Sequence, residues 1–209
     1  MSVLFETHCH SSVSDGKQSP EEVVRAARAR GLDALALTDH NTFLGSKLAD
    51  SASKVLGGPL VVYGNEVRTT WGDVVVLCPS YPGPQAPRDP LELRDWASER
   101  NCIMIAVHPL NKLHHGVGWG VLRDNHRVFD AVEVWNAYTP PPINLAVIML
   151  ARSLPLARTS GSDAHVTSML GVAPTIVESE PDRDSIIEAV RRGEVKPTYG
   201  LPTLRGVVD

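Results

Sequence analysis

The chain spaces imidazole and carboxylate side chains in a way that suits metal binding. His8 and His10 are separated by one residue, and Asp163 and His165 repeat that spacing far along the chain. Residues i and i+2 of a strand point the same way, so each pair can grip one ion while Cys9 or Ala164 faces the opposite side. Asp39 and His40 are adjacent, which predicts His40 as a ligand and Asp39 as its support. Glu66 and His108 complete a set of eight such residues. Imidazole and carboxylate ligands without thiolate suit Mn²⁺, Zn²⁺ or Fe²⁺. The set is too large for one ion, so two or three divalent ions bridged by a carboxylate are expected. Such clusters suit phosphate-ester hydrolysis: the ions hold phosphate oxygens, make hydroxide from water and steady the leaving oxygen.

These residues need elements to bring them together. Apolar runs at Val3–Phe5, Ala34–Leu37, Leu60–Tyr63, Val74–Leu77, Ile103–Val107, Val132–Val134 and Thr175–Val177 read as short buried strands. Helical signals alternate with them. Ser19-Pro20-Glu21-Glu22 is a capped helix start that runs to Gly31. Further helices are predicted over 44–56, 90–100, 142–150 and 183–192. The prolines of 80–90 and the glycines and histidines of 111–120 read as loops. Strand-helix alternation along the whole length predicts parallel β/α units in one domain over residues 1–209. The candidate ligands then fall at the C-terminal ends of five strands, the face on which a parallel barrel carries its chemistry.

Taken singly, each group has a plainer reading. Asp39-His40-Asn41 could cap a helix, Ser14-Asp15-Gly16 could be a turn, His108-Pro109 could end a strand, and Glu66 could be a surface acid. Their coincidence at strand ends favours a shared site. His114, His115 and His126 are expected at the surface.

Composition bounds the remaining possibilities. The 209 residues are 43% hydrophobic and 21% charged, as in a globular protein with a substantial core. A formal net charge of −4 implies no broad basic surface, so no stable nucleic-acid complex is expected. No apolar run reaches membrane-spanning length, and no secretory signal is evident. Cys9, Cys78 and Cys102 are odd in number and scattered, so they are expected to be unbridged core residues of a cytoplasmic protein.

The ordered motifs His8-x-His10, Ser14-Asp15-Gly16, Thr38-Asp39-His40-Asn41, Gly64-Asn65-Glu66, Val107-His108-Pro109 and Ser162-Asp163-Ala164-His165 closely resemble the PHP family, the polymerase and histidinol phosphatase domains. The resemblance implies an α/β fold, a distorted (β/α)7 barrel, with up to three divalent metals at the C-terminal ends of its strands. It implies one ion at His8, His10, Glu66 and Asp163, and a second at Asp15, His40 and His165. A third would be shared by Glu66 and His108 and completed by the residue that is commonly histidine in a Gly-His pair. The matching pair here is Gly72-Asp73, a departure that makes Asp73 the expected ligand.

The leading reading is therefore a metal-dependent phosphoesterase acting on a phosphomonoester: a small metabolite, a nucleotide or a nucleic-acid end. A metal-bridging hydroxide is the expected nucleophile. Asp163, Asp39 and His165 are candidates for proton transfer, and Arg68, Lys112 and Arg158 for phosphate binding. Two other readings stand beside it. One is amide or lactone hydrolysis by a related metal barrel, although no lysine sits at a middle strand end to carry a bridging carbamate. The other is a non-catalytic, metal-stabilised module.

Overall fold

A computed structural model describes residues 1–201. Nine strands form one sheet in the order β7-β6-β5-β4-β3-β2-β1-β8-β9. They are β1 (Ser2–Cys9), β2 (Ala34–Leu37), β3 (Leu60–Arg68), β4 (Asp73–Cys78), β5 (Ile103–Ala106), β6 (Ala131–Asn136), β7 (Ala157–Gly161), β8 (Thr175–Glu178) and β9 (Val195–Pro197). The helices between them are α1 (Pro20–Ala29), α2 (Leu44–Leu56), α3 (Pro90–Ser98), α4 (Trp119–Asp124), α5 (Pro141–Ala151) and α6 (Arg183–Arg192).

The sheet curls into a nearly closed barrel. The first half of β1 pairs with β8 from Ser2 to Phe5. Its second half meets the chain leaving β7: Asp163 N donates to His8 O at 2.8 Å, and His10 N donates to Ala164 O at 2.9 Å. The two ends of the seven-strand run β1–β7 are thereby joined on the side that carries the histidines.

The strands are not all parallel, as alternating β/α units would make them. β4 runs antiparallel to both β3 and β5. The turn between Arg68 and Asp73 is too short for a crossover, so the chain must double back. This reversal places Asp73 at the start of a descending strand, directly opposite Arg68 at the end of an ascending one. Helix α4 and strand β9 also appear where no element is predicted.

Inside the barrel the lower level is apolar. Val3, Phe5, Val62, Leu77, Ile103 and Ile105 pack together, and α6 adds Ile186, Ile187 and Val190 to the same cluster. Burying side chains of this size contributes roughly 1.5–3 kcal/mol each. α1 starts as its sequence dictates: Ser19 and Glu22 form a reciprocal capping box that spans Pro20 at the first helical position.

Cys78 and Cys102 form a disulfide, contrary to the expectation of unbridged thiols, while Cys9 is free and buried. The register explains it. β4 pairs with β5 at Leu77 and Ile103, so the next residue outward on each strand, Cys78 and Cys102, face one another. The 24-residue separation carries no sequence signal, and composition no longer argues for a reducing compartment. Among the described residues no helix is long and apolar enough to cross a membrane.

Candidate metal centre

Above the apolar level, irregular backbone turns polar side chains inward. Along β1 and the residue that follows it, the inward residues are first Val3 and Phe5, then His8 and His10, while Cys9 packs in an outer cluster with Leu35 and Leu37. Strict alternation cannot do this. A register shift between Glu6 and Cys9 changes the parity, as β-bulges beside active sites do. β6 has a matching shift between Glu133 and Trp135. Just after β5, Val107 faces the core, and His108 turns back to the cavity with φ +29°. Asp163 likewise has φ +50°. Non-glycine residues in this region are uncommon and cluster at functional sites.

The result is a compact set of rings around three carboxylates. Glu66 lies at the centre. Its Oε1 is 3.0 Å from His108 Nε2, and its Oε2 is 3.5, 3.3 and 3.2 Å from nitrogens of His8, His10 and His40. Asp163 Oδ1 is 3.5 Å from His8 Nε2 and 3.2 Å from His10 Nε2. Asp15 Oδ2 is 3.4 Å from both His40 Nε2 and His165 Nε2. Four groups have ligand atoms close enough to share an ion: His10, Asp15, His40 and His165; His8, His10 and Glu66; His8, His108 and Asp163; and His40, Glu66 and Asp73. Asp73 thus clusters with His40 and Glu66, and its carboxylate also accepts from Arg68 Nε.

The donor set fits divalent cations on its own evidence. The buried nitrogens His8 Nε2, His10 Nδ1, His10 Nε2, His40 Nδ1 and His108 Nδ1 have no hydrogen-bond partner. Buried polar atoms are nearly always satisfied, so five such nitrogens clustered around the carboxylates suit the ligand atoms of divalent cations. Electrostatics agree. Burial opposes charge on His8, but Asp163, Glu133 and Glu66 outweigh it and hold the imidazole well above its ordinary value. His10 and His108 are raised in the same way. Burial also opposes ionisation of Glu66 and Asp163, yet the surrounding imidazoles hold both below the usual carboxylate range. Asp73 is pushed up, first by burial and then by Glu66 beside it, with Arg68 acting against both.

The cavity itself holds about 350 Å³. Its lining includes Asp15, His40, Glu66, Asp73, His108, Asp163 and His165, with Arg68 at the rim; His8 and His10 lie just beneath, almost fully buried. Three residues named from sequence fall elsewhere. Asp39 is fully buried and turned from the cavity, where its carboxylate accepts from Ser11 N, Ser11 Oγ and Ser14 Oγ. It clamps the loop that carries Asp15. Lys112 folds back onto its own loop, with Nζ near the carbonyls of Gly116 and Val117. Arg158, second residue of β7, is exposed at the opposite end of that strand, beside Lys196 and Tyr199. His114 is only half-exposed, and both it and His115 line the cavity.

Two buried acids escape a sequence reading. Glu133 Oε1 lies 3.1 Å from His8 Nδ1, and its Oε2 accepts from His108 N and Asn136 Nδ2. This fixes the His8 ring with Nε2 toward the cavity. Glu6 accepts from the backbone N–H groups of His8, Ser162 and Gly171, tying β1 to the segment after β7. Burial pushes its carboxyl up to about 7. The available signal was a carboxylate set inside an apolar strand, as in Val132-Glu133-Val134.

Comparison with known proteins agrees with this architecture. A model of the PHP domain matches residues 6–85, and a PHP-associated model matches residues 143–195. The chain belongs to the PHP family. A two-domain protein from Bacteroides vulgatus containing a predicted PHP-like metal-dependent phosphoesterase superposes with a TM-score of 0.77 at 21% identity, over 96% of this chain and 65% of that one. A 5′-3′ exoribonuclease of Haemophilus influenzae is 44% identical over 71 residues, 34% of this chain and 26% of its own length. A 3′,5′-nucleoside bisphosphate phosphatase of Chromobacterium violaceum is 42% identical over 68 residues, 32% of this chain and 24% of its own length. The matched segments thus span about a quarter of these curated relatives. The PHP-like part of the Bacteroides vulgatus protein is described as a predicted metal-dependent phosphoesterase, and the clustered histidines and acids here could hold metal.

Proposed function

We propose that the cavity is the active centre of a phosphoesterase that uses two or three divalent ions to hydrolyse a phosphomonoester. The observation that carries this reading is the group of orphaned, buried imidazole nitrogens around Glu66 and Asp163. The exoribonuclease and the bisphosphate phosphatase among the relatives make a nucleotide, a nucleic-acid end or another small phosphate ester the natural substrate class.

The ions would be held by His8, His10, Glu66 and Asp163, by Asp15, His40 and His165, and by His108 and Asp73 with Glu66. Bound cations supply Lewis acidity that activates water and neutralises charge on phosphate. Glu66 would serve more than one ion, because Oε1 meets His108 while Oε2 meets His8, His10 and His40. Arg68, half-exposed at the rim, commits Nε to Asp73 and keeps its terminal nitrogens for a phosphate oxygen. Of the candidates for proton transfer, Asp39 is turned away, and Asp163 is held ionised by its imidazole neighbours, which suits a ligand and not an acid. His165 likewise serves as an ion ligand and not as the acid, because its Nδ1 meets the Asp163 carbonyl and its Nε2 faces Asp15. No lysine lines the cavity among the described residues, which disfavours the amide and lactone reading.

The test strips the purified protein with a chelator, reloads it with Mn²⁺, Zn²⁺ or Fe²⁺, and measures metal content and product release on phosphate-ester, amide and lactone panels. Phosphate release that depends on added metal is expected. His10→Ala should lose metal and activity while its circular dichroism stays native. A folded protein that binds none of these metals would overturn the proposal. Retained metal without turnover would favour the non-catalytic module.

A further inference from the structure

Leu113, His114 and Tyr138 line the mouth of the cavity but belong to none of the groups that could hold an ion. Leu113 is 90% exposed and Tyr138 47% exposed. Single exposed apolar residues are ordinary. These differ because the segments that carry them are fastened in place. Buried Asn111 Nδ2 donates to Thr139 Oγ1 at 3.1 Å and ties the segment after β5 to the segment after β6. Gly116 packs so closely that a Cβ there would lie 2.3 Å from His108 O. The carbonyl of His115 accepts from Asp73 N at 2.9 Å. The His114 and Tyr138 rings stand nearly perpendicular with centroids 5.3 Å apart, and the Tyr138 ring centroid lies 5.7 Å from that of His165. His114 in turn lies 6.4 Å from His108. The ledge therefore starts one ring's distance from the metal-binding side chains.

We infer that Leu113, His114 and Tyr138 form a preorganised ledge for a flat ring on the leaving group, so the site prefers ring-bearing phosphate esters to open-chain ones. The inference rests on the phosphoesterase reading. A phosphate seated among the ligand rings directs its ester oxygen toward the mouth, and the ledge is the apolar surface there. Its rigidity matters, because a surface already held in place loses little freedom when a ring stacks on it. Stacking on one aromatic face is worth about a tenfold change in binding or more.

The experiment compares kcat/KM of the metal-loaded chain for adenosine 5′-monophosphate, p-nitrophenyl phosphate and glycerol phosphate. Wild type, Tyr138→Ala, Tyr138→Phe and Leu113→Ala are each measured. Tyr138→Ala should lose about tenfold more on the two ring-bearing esters than on glycerol phosphate, Leu113→Ala should show a smaller loss in the same direction, and Tyr138→Phe should recover most of the Tyr138→Ala difference. An equal loss on all three esters, or no loss on the ring-bearing ones, overturns the ledge. Metal content is measured for every variant. If Tyr138→Ala sheds metal, Leu113→Ala decides, since its largely exposed side chain can be cut back with little effect on folding. If wild type releases phosphate from no ester, the proposed function fails. The ledge is then judged by calorimetric binding of adenosine 5′-monophosphate against glycerol phosphate, and equal affinities overturn it.

Discussion

Glu133 shows how much one side chain can organise. Its two oxygens engage His8 Nδ1, His108 N and Asn136 Nδ2, which anchors two ring-bearing positions to one acid. Glu133→Ala would leave these buried groups unpaired, at roughly 2–4 kcal/mol of stability. Metal affinity should fall by about 10–100-fold, as when other partners of ligating histidines are removed. Chemical denaturation and competitive metal titration read the two effects separately. A second prediction concerns pH. Carboxylates raise His8, His10 and His108 above their ordinary 6.5, so without metal they stabilise the fold in acid and lose that contribution as pH rises through their folded values. Glu66 and Asp163 lie below the ordinary carboxylate range, so their contribution is present at neutral pH and lost as pH falls. The metal-free protein should be most stable in mildly acidic solution, between those limits. A cation must displace the imidazole protons, so metal affinity should rise with pH, and binding should release protons. Calorimetry in buffers of different ionisation enthalpy measures that release. A proton-free binding reaction near neutrality would contradict these raised values.

At the scale of the elements, Asp39 and helix α2 give an unusual prediction. A Cβ at Gly45, second residue of α2, would lie 1.7 Å from Asp39 Oδ2. Gly→Ala in a helix ordinarily stabilises by about 1 kcal/mol. Here it should lower the melting temperature, because the Asp39 carboxylate must leave its bonds to Ser11 and Ser14. That clamp carries Asp15, so the ion at Asp15, His40 and His165 should weaken first, which stoichiometry by elemental analysis would show. Elements of this kind were partly legible in the sequence. α2 and α6 lie where their apolar pattern and glycine stops put them. The His8–His10 pair was legible because its spacing suits a strand, whereas Asp163 and His165 follow β7 on irregular backbone with Asp163 at φ +50°. The rest depends on geometry that spacing does not encode. The shift between Glu6 and Cys9 reverses which β1 residues face inward, and β4 descends because its turn is short. Glu133 reads as one polar residue in an apolar strand until β1 and β5 are brought beside it. Arg158 precedes a site motif in sequence but starts the strand that motif ends, so the length of β7 separates it from the cavity.

At the scale of the whole molecule, the centre draws residues from His8 to His165 and exists only when the barrel is nearly closed. The unfolded chain scatters these ligands, so a cation binds the folded state in preference and stabilises it by mass action. An ion at about 100 times its dissociation constant adds ~2.7 kcal/mol. For a chain of this length that corresponds to a rise of about 5–10 °C in melting temperature. Chelation should reverse the rise, and readdition of Mn²⁺ or Zn²⁺ should restore it. The disulfide supplies a control, because Cys78 and Cys102 lie at the far end of β4 from Asp73. Reduction should lower the melting temperature of metal-free and metal-loaded protein alike and leave the difference between them intact. His10→Ala should shrink that difference, since His10 faces both Glu66 and Asp163. If the metal-dependent rise survived in His10→Ala at full size, the ions would have to bind somewhere other than the centre built on β1.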